Sequence, residues 1–422
     1  MPQKRALVLG ALLLCALVAV GLVYVRRSPE QPAVTPAPKI TLAARQFRLA
    51  NGVDVELVSG PCGDEAAVAL LYGVGVEHDP VGHSGLSAVL GRVLSAIVAP
   101  ATVEVGATFT RIARRVPVAQ LIAELDAVAQ RMKPLTVDAT AFEQARQQVL
   151  DEIARRHGGD PRSTAIAFAL QSAQSARAEG HFGGIAEEVT ALQIKDVTDA
   201  WQKHFQPANL RVVVVGGFDP TAIQRHLEQA LGGLPAGEAA QLREHGASTV
   251  SGTVVMGDNP SALAFGLAAP GASAPTFAAF LVLARRLSAG EPTWQFDYDP
   301  LGRTGTLLLT ATTPTGQRPE PVAETLRAAL AKRIAEPFKP SEVAATQQHF
   351  AALLGTHDLD PAACRTDALA LAVARAQRAK LGIDIPAISK ALSAMNETAL
   401  AQARPLFAAE RTVIVAAGGE IR

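Results

Sequence analysis

The sequence predicts two similar α+β domains, each an antiparallel sheet covered by helices. Strand-like runs such as Val53–Val58 and Ala67–Gly75 precede stretches with apolar residues at helical spacing, the first of which is Ser84–Val98. The same order of elements recurs in the second half of the chain. Hydrophobic residues make up 49% of the 422 residues, which suits packed cores rather than disorder.

Further elements of the first half follow from periodicity and from residues typical of helix ends. Asp138 is a plausible N-cap, and Pro117 suits the first turn of a helix. The predicted helices are Pro117–Met132, Asp138–Arg156, Arg162–Ala178 and Asp196–Phe205, followed by a buried strand over Leu210–Val215.

An internal repeat supports the duplication. At an offset of 202 residues, Phe205–Gly217 aligns with Phe407–Gly419, so that a helix end, a short turn, a buried strand and a Gly-Gly pair share one register. The second half also has strand-like runs at Thr253–Met256 and Leu263–Ala268, and then a helix over Pro275–Leu287. These matches predict domains over residues 40–235 and 250–422, joined by a linker over 236–249.

The N-terminal segment predicts a membrane anchor over residues 1–27. Ala6–Val25 is an uncharged run long enough to cross a hydrocarbon core of about 30 Å. A cleavable signal peptide and a lipoprotein attached through Cys15 are the alternatives. Residues 28–39 contain four prolines and predict an extended spacer. We expect a single-pass protein of the inner (cytoplasmic) membrane whose body is periplasmic or otherwise extracytoplasmic.

Charge and cysteine content exclude some classes of function. Lys plus Arg and Asp plus Glu both total 39, so no net charge favours a nucleic-acid partner. The basic cluster Arg111–Arg115 is interpreted as a solvated face. Three cysteines cannot form a disulfide framework. Cys62 and Cys364 lie in different halves, so we expect two unpaired thiols.

Gly73–Leu94 resembles the opening of the insulinase/pitrilysin zinc metallopeptidase family, in which a strand and a turn containing Glu lead into a helix that carries the H-x-x-E-H motif. Glu77 and Gly85-Leu86 match this approach. Phe142–Ile153 resembles the later helix that completes the zinc site, and Val197–Gly217 resembles the close of the first half. The resemblance implies two homologous halves that enclose a chamber.

The residues that bind and use zinc in this family are missing here. In the family register the first His is Ala88, the general-base Glu is Gly91 and the second His is Arg92. Only Glu152 matches the distant ligand. Alanine and glycine cannot ligate a metal, and arginine brings a permanent positive charge. We therefore expect no zinc, no other cofactor and no catalytic residues.

Other candidate sites are weaker. His78 and His83 flank a turn and lack a third nearby ligand. Ser84 falls short of a nucleophile elbow because Leu86 occupies the position of the closing Gly. The family's substrate-holding Arg and Tyr have no clear match. Trp294 and Tyr298 are possible substitutes for the Tyr, but alternation along a strand favours packing on one sheet face.

The expected function is that of a non-catalytic pseudopeptidase of the cell envelope, a partner or regulatory subunit of an active insulinase-family chain or of another envelope protein. One alternative is a peptidase whose composite active site combines Glu152 with residues of a partner chain. The other alternative is a structural scaffold in an envelope complex.

Overall fold

The computed structural model describes residues 42–106, 108–157, 161–174, 184–240, 251–257, 261–289, 294–298, 306–313, 318–350, 361–380 and 382–418. Thr41–Arg422 form one compact unit, so the boundaries predicted between the two halves stay a prediction. Within the ranges above, no helix combines the length and apolarity needed to cross a membrane. The predicted anchor Ala6–Val25 lies outside them.

The first sheet has six strands in the order β1-β2-β6-β3-β5-β4. The strands β2, β3 and β6 were predicted, and their alternation of Val, Leu and Ala is buried on both faces. β1, β4 and β5 were not predicted, because they are polar or short. The bounds are β1 Ala43–Arg48, β2 Asp54–Ser59, β3 Glu65–Tyr72, β4 Thr102–Val105, β5 Thr110–Pro117 and β6 Leu210–Gly216.

The helices of the first half, apart from α4, pack on one face of this sheet. Asp138 caps its helix as predicted, since its carboxylate accepts a hydrogen bond of 3.0 Å from the Ala141 N–H. Pro117 instead ends β5, and a 3₁₀ turn separates it from the next helix. The helices are α1 Leu86–Ile97, α2 Leu121–Arg131, α3 Ala139–His157, α4 Pro161–Gln174, α5 Ala186–Ala191, α6 Ile194–His204 and α7 Pro220–Leu231.

The second sheet has five strands in the order β7-β11-β8-β10-β9. Its largest buried cluster lies between the sheet and a helix that is buried along almost its whole length, Phe277–Ser288. The strands are β7 Gly252–Met256, β8 Ala262–Ala268, β9 Gln295–Tyr298, β10 Thr306–Thr312 and β11 Thr412–Ala417; the helices are α8 Phe277–Ser288, α9 Pro319–Ala335, α10 Ser341–His349, α11 Pro361–Lys380, α12 Ile385–Ser393 and α13 Glu397–Ala403.

The two sheets repeat one topology, as the 202-residue offset predicts. β6 lies between β2 and β3, and β11 lies between β7 and β8. The two strands start at equivalent residues, Leu210 and Thr412. The prediction of purely antiparallel sheets was wrong. β2 pairs with β6 in parallel, and β7 pairs with β11 in parallel. β2 and β3 run in opposite directions, as do β7 and β8, so a strand inserted between either pair must be parallel to one of its neighbours.

Each half sends one alanine-faced helix across the outer face of the other half's sheet. In α11, Cys364, Ala368, Ala372 and Ala376 recur every four residues and pack on the first sheet. In α4, Ala165, Ala169 and Ala173 do the same on the second sheet. Small side chains allow the helix backbone to approach the sheet closely, and the exchange joins the two halves.

A buried ion cluster also holds α11 on the first sheet. Glu56 of β2 accepts hydrogen bonds from Arg211 of β6 at 2.7 Å and from Nε of Arg375 of α11 at 2.8 Å. Burial alone would raise the pKa of Glu56, but Arg375 and then Arg211 outweigh it and hold that pKa below its usual value. Glu56 therefore remains ionised in the core.

The expectation of unpaired thiols was wrong, because Cys62 and Cys364 form a disulfide with their Cα atoms 5.2 Å apart. Cys62 lies in the turn between β2 and β3, and Cys364 lies in the first turn of α11. The prediction of unpaired thiols rested on the location of the two cysteines in different halves of the chain. The crossing of α11 onto the first sheet removes that separation.

Candidate functional site

Helix α1 is fixed at its N-terminus by Asp79, a residue that the sequence analysis did not single out. The Asp79 carboxylate accepts hydrogen bonds from the Gly85 N–H at 2.9 Å, the Ser87 N–H at 2.9 Å and the Ser87 hydroxyl at 2.6 Å. These bonds satisfy backbone donors that the first turn of a helix leaves unpaired. Asp79 is buried, so the start of α1 is held rigidly above the first sheet.

The degenerate zinc positions, Ala88, Gly91 and Arg92, all lie on α1, which packs against α3. Arg92 and Glu152 come together as the family register predicts for two zinc ligands. The Arg92 Nη2 and Glu152 Oε2 atoms are 2.9 Å apart, with 47% and 34% of their side chains exposed. An ion pair thus joins the two helices that a zinc ion would join in an active relative.

A side chain at position 91 would clash with Val105 unless Val105 shifts. A Cβ atom added to Gly91 would lie 2.4 Å from Cγ2 of Val105 on β4, closer than any normal contact. The Val105 side chain therefore occupies the space that a Cβ atom would need at this position. Ala145, two turns before Glu152 where many relatives carry an acidic residue, is buried in the apolar core.

These residues do not fit a zinc ion. Structural and catalytic zinc sites need three or four converging donors, and Glu152 is the one zinc-type donor among the four family positions. Arg92 would place a permanent cation beside the metal. Across the residues that the structure describes, no group of three or more His, Cys, Asp or Glu side chains is arranged to hold a metal ion.

The weaker candidates have structural roles. The Ser84 hydroxyl accepts a hydrogen bond of 3.0 Å from the Ile185 N–H, and the Ser84 N–H donates to Glu188 at 2.7 Å. Ser84 thus fastens the start of α5 to the loop before α1. His83 Nε2 lies 3.7 Å from Asp196, and the His78 ring accepts from the Gly75 N–H at 3.1 Å.

The aromatic residues of β9 pack on one face, as alternation predicts. Trp294, Phe296 and Tyr298 all contact the buried cluster of the second sheet. The Tyr298 ring lies 5.4 Å from that of Phe280, between ring centroids. These contacts place the three partly buried side chains in packing against the core of the second half.

Part of the chain matches the model of a known protein family. Residues 191–350 match the model described as the peptidase M16 inactive domain, M16 being the pitrilysin-like family. No curated protein sequence matches the chain. The resemblance to the M16 family is confirmed.

Solved structures support the M16-like fold over nearly the whole chain. A protease from Helicobacter pylori is 16% identical, with a TM-score of 0.72, over 89% of this chain and 99% of that one. A peptidase M16 inactive domain from Pseudomonas fluorescens is 14% identical, with a TM-score of 0.71, over 90% of this chain and 98% of that one. A chain of complex III2 from Candida albicans is 16% identical, with a TM-score of 0.70, over 89% and 96%. Since proteases and an inactive domain share this fold, the residues at the site have to decide the activity.

Proposed function

We propose that this M16-like chain is a non-catalytic pseudopeptidase that acts as a partner or regulatory subunit in the cell envelope. The Arg92–Glu152 ion pair is the observation that carries the proposal. In this pair Glu152, the one retained family ligand, accepts a hydrogen bond from Arg92, which occupies the position of the second His. In addition, a general base at position 91 would require the Val105 side chain to move.

The ion pair also weighs against a composite peptidase site. Such a site would need Glu152 free to ligate a metal held partly by another chain. Releasing Glu152 would leave Arg92 beside the metal, where like charges repel. A pure scaffold role needs no particular arrangement at these positions and is tested by the search for a partner.

The partner proposed is an M16 chain with an intact zinc motif, or another envelope protein. Its support is by analogy, because the similar Candida albicans chain is part of complex III2. An extracytoplasmic body is supported by the Cys62–Cys364 disulfide, since disulfides persist in oxidising compartments such as the periplasm. Recovery of the linked Cys62 and Cys364 peptides from unreduced native protein tests the compartment; recovery of free thiols alone contradicts it.

Metal analysis of the purified full chain tests the non-catalytic part. We expect substoichiometric zinc and no cleavage of fluorogenic peptides. Glu152→Gln should leave both unchanged, as should the matched control Asp151→Asn on the same helix, whose carboxylate accepts a hydrogen bond from Gln147. One zinc per chain that disappears in Glu152→Gln and persists in Asp151→Asn contradicts the proposal.

The partner is tested by affinity capture of the full chain from native membranes, followed by native mass spectrometry. We expect a complex of fixed stoichiometry, with an interface of at least about 1,000 Å². A monomer at physiological expression, with no associated chain, leaves the scaffold as the better account.

A further inference from the structure

A cavity of about 190 Å³ lies on the side of α1 away from Ala88 and Arg92. It is bounded by the first turns of α1, by the loop 78–83 and by α6. Successive residues of a helix are about 100° apart, so Leu86 and Leu90 face this cavity while the degenerate zinc positions face elsewhere. The cavity is therefore separate from the site described above.

The floor of the cavity is apolar and built from core residues. Val74, Leu86, Leu90 and Phe205 line it, and each is buried. Engineered apolar cavities of about 150 Å³ bind benzene, so a cavity of this size accommodates a phenyl or isobutyl group. One wall is formed by the rings of His78 and His204, whose centroids are 6.1 Å apart in an edge-to-face arrangement.

The mouth of the cavity is acidic. Asp196 and Asp199 are three residues apart on α6 and so lie on the same face of that helix. Among the lining residues, Asp79, Asp196 and Asp199 oppose a single ammonium, that of Lys203. Burial, and then the charge of Lys203, lowers the pKa of His204, so this ring is neutral near pH 7 and does not offset the carboxylates.

Asp199 is exposed at the rim and Asp196 is partly exposed there, whereas Asp79 is buried and engaged by the first turn of α1. Asp196 accepts a hydrogen bond of 2.8 Å from the Gln193 N–H and keeps its other oxygen toward His83. Asp199 pairs with Lys195, whose side chain is largely exposed. An exposed lysine pair contributes little, so an ammonium held in place by a buried apolar group can replace it.

We propose that this cavity binds a primary amine that carries an apolar group of leucine or phenylalanine size, as the amino-terminal residue of a polypeptide does. The apolar group enters between Leu86, Leu90 and Phe205, and the ammonium is held at the rim by Asp196 and Asp199. The site needs neither zinc nor peptide hydrolysis, so it stands or falls separately from the function proposed above.

The test uses L-phenylalaninamide as the probe and isothermal titration calorimetry of the full chain. We expect a Kd on the order of 0.1–1 mM, given the small number of ligand atoms. N-acetyl-L-phenylalaninamide, which lacks the ammonium, and glycinamide, which lacks the apolar group, should each bind at least about tenfold more weakly. The proposal is overturned if the acetylated compound binds as tightly as L-phenylalaninamide. It is also overturned if L-phenylalaninamide does not bind at about 10 mM, tenfold above the weakest expected Kd.

Two variants locate the site. Ala200→Leu fills the cavity and should abolish binding, whereas Ala200→Ser keeps the volume and should bind as the wild type does. Asp199→Asn should weaken binding about three- to fivefold. Its matched control is Asp126→Asn on α2, because the two carboxylates are equally exposed, at 57% and 56%, and Asp126 pairs with His226 away from the cavity.

Thermal unfolding of each variant shows whether it is folded. Unchanged affinity in a folded Ala200→Leu, or equal losses in Asp199→Asn and Asp126→Asn, places the probe elsewhere and overturns the proposal. If Ala200→Leu does not fold, the comparison of the two aspartate variants decides.

Discussion

Removal of the Cys62–Cys364 disulfide should destabilise the body strongly, because the bond closes a very long loop. The cysteines are separated by 302 residues in sequence. For a loop of about 300 residues, loop-closure entropy gives about 5.7 kcal/mol at 25 °C, and losses measured for native disulfides are about 2–5 kcal/mol. We therefore expect the free energy of unfolding to fall by about 5 kcal/mol in a Cys62→Ala, Cys364→Ala double variant.

The expected change in melting temperature follows from the size of the body. Thr41–Arg422 contains about 380 residues. An unfolding entropy of about 2.1 cal/mol/K per residue then gives about 0.8 kcal/mol/K, so a loss of about 5 kcal/mol lowers the Tm by about 6 °C. Alanine is the replacement because both cysteines are buried and a serine hydroxyl would need a hydrogen-bond partner.

Differential scanning calorimetry of the full chain, with and without dithiothreitol, measures this effect. The reductant should lower the Tm of the wild type and leave that of the double variant unchanged. A wild type whose Tm is insensitive to reductant, despite mass-spectrometric proof of reduction, would refute the reasoning. So would a double variant that melts with the wild type.

Three further predictions concern packing and charge. Glu56→Gln should cost about 3–5 kcal/mol, because it removes a buried carboxylate from two partly buried arginines, Arg211 and Arg375. Because the pKa of Glu56 is lowered in the folded state, its contribution to the free energy of unfolding is complete above its ordinary pKa of 4.5 and is lost as pH falls through the lower folded value. Urea titrations below pH 5 should show this loss in the wild type and not in the variant. Gly266→Ala should lower the free energy of unfolding by about 1–3 kcal/mol, because the added Cβ would lie 2.6 Å from a carbonyl oxygen of α4. The control Gly233→Ala should be near neutral in the same urea titrations, because a Cβ there meets nothing within 4 Å. Restoring His, Glu and His at the degenerate zinc positions should give weak zinc binding and no efficient proteolysis. The additional change Val105→Ala should improve zinc binding, because it clears the space beside residue 91. Metal analysis and peptide cleavage assays measure the two effects, and efficient cleavage without the Val105 change contradicts the packing argument.

Local patterns were sufficient to predict the repeated strands, most helices of the first half and α8, but not the later helices of the second half. The Gly-Gly register found β6 and β11 because both are central strands with continuous apolar runs. β1 was missed because nearly all of its residues are exposed on an edge, which leaves little hydrophobic signal. The parallel pairing of β6 was also missed, since it depends on where a strand is inserted and not on its own residues.

The contacts between the halves depend on tertiary structure, yet one signal for them was in the sequence. Cys364, Ala368, Ala372 and Ala376 recur at a spacing of four, a pattern typical of a helix face made for close approach. That pattern predicts a tight helix-to-sheet contact, but it does not say which sheet is covered. The disulfide forms because α11 packs on the first sheet, and the large sequence separation of the two cysteines alone led to the wrong prediction.

The candidate site was predicted residue by residue, and the structure adds how the substituted residues fit together. Arg92 pairs with Glu152, and Ala88 packs against the core of the first half. Gly91 lets β4 approach α1 more closely than any side chain would allow. A zinc site needs the opposite of each feature, namely donors at 88 and 92, an uncommitted Glu152 and free space at 91. Because these requirements conflict at positions 91, 92 and 152, the present arrangement is a self-consistent packing of α1, α3 and β4. Restoring the metal ligands alone leaves the Val105 side chain where the Cβ atom of residue 91 would lie.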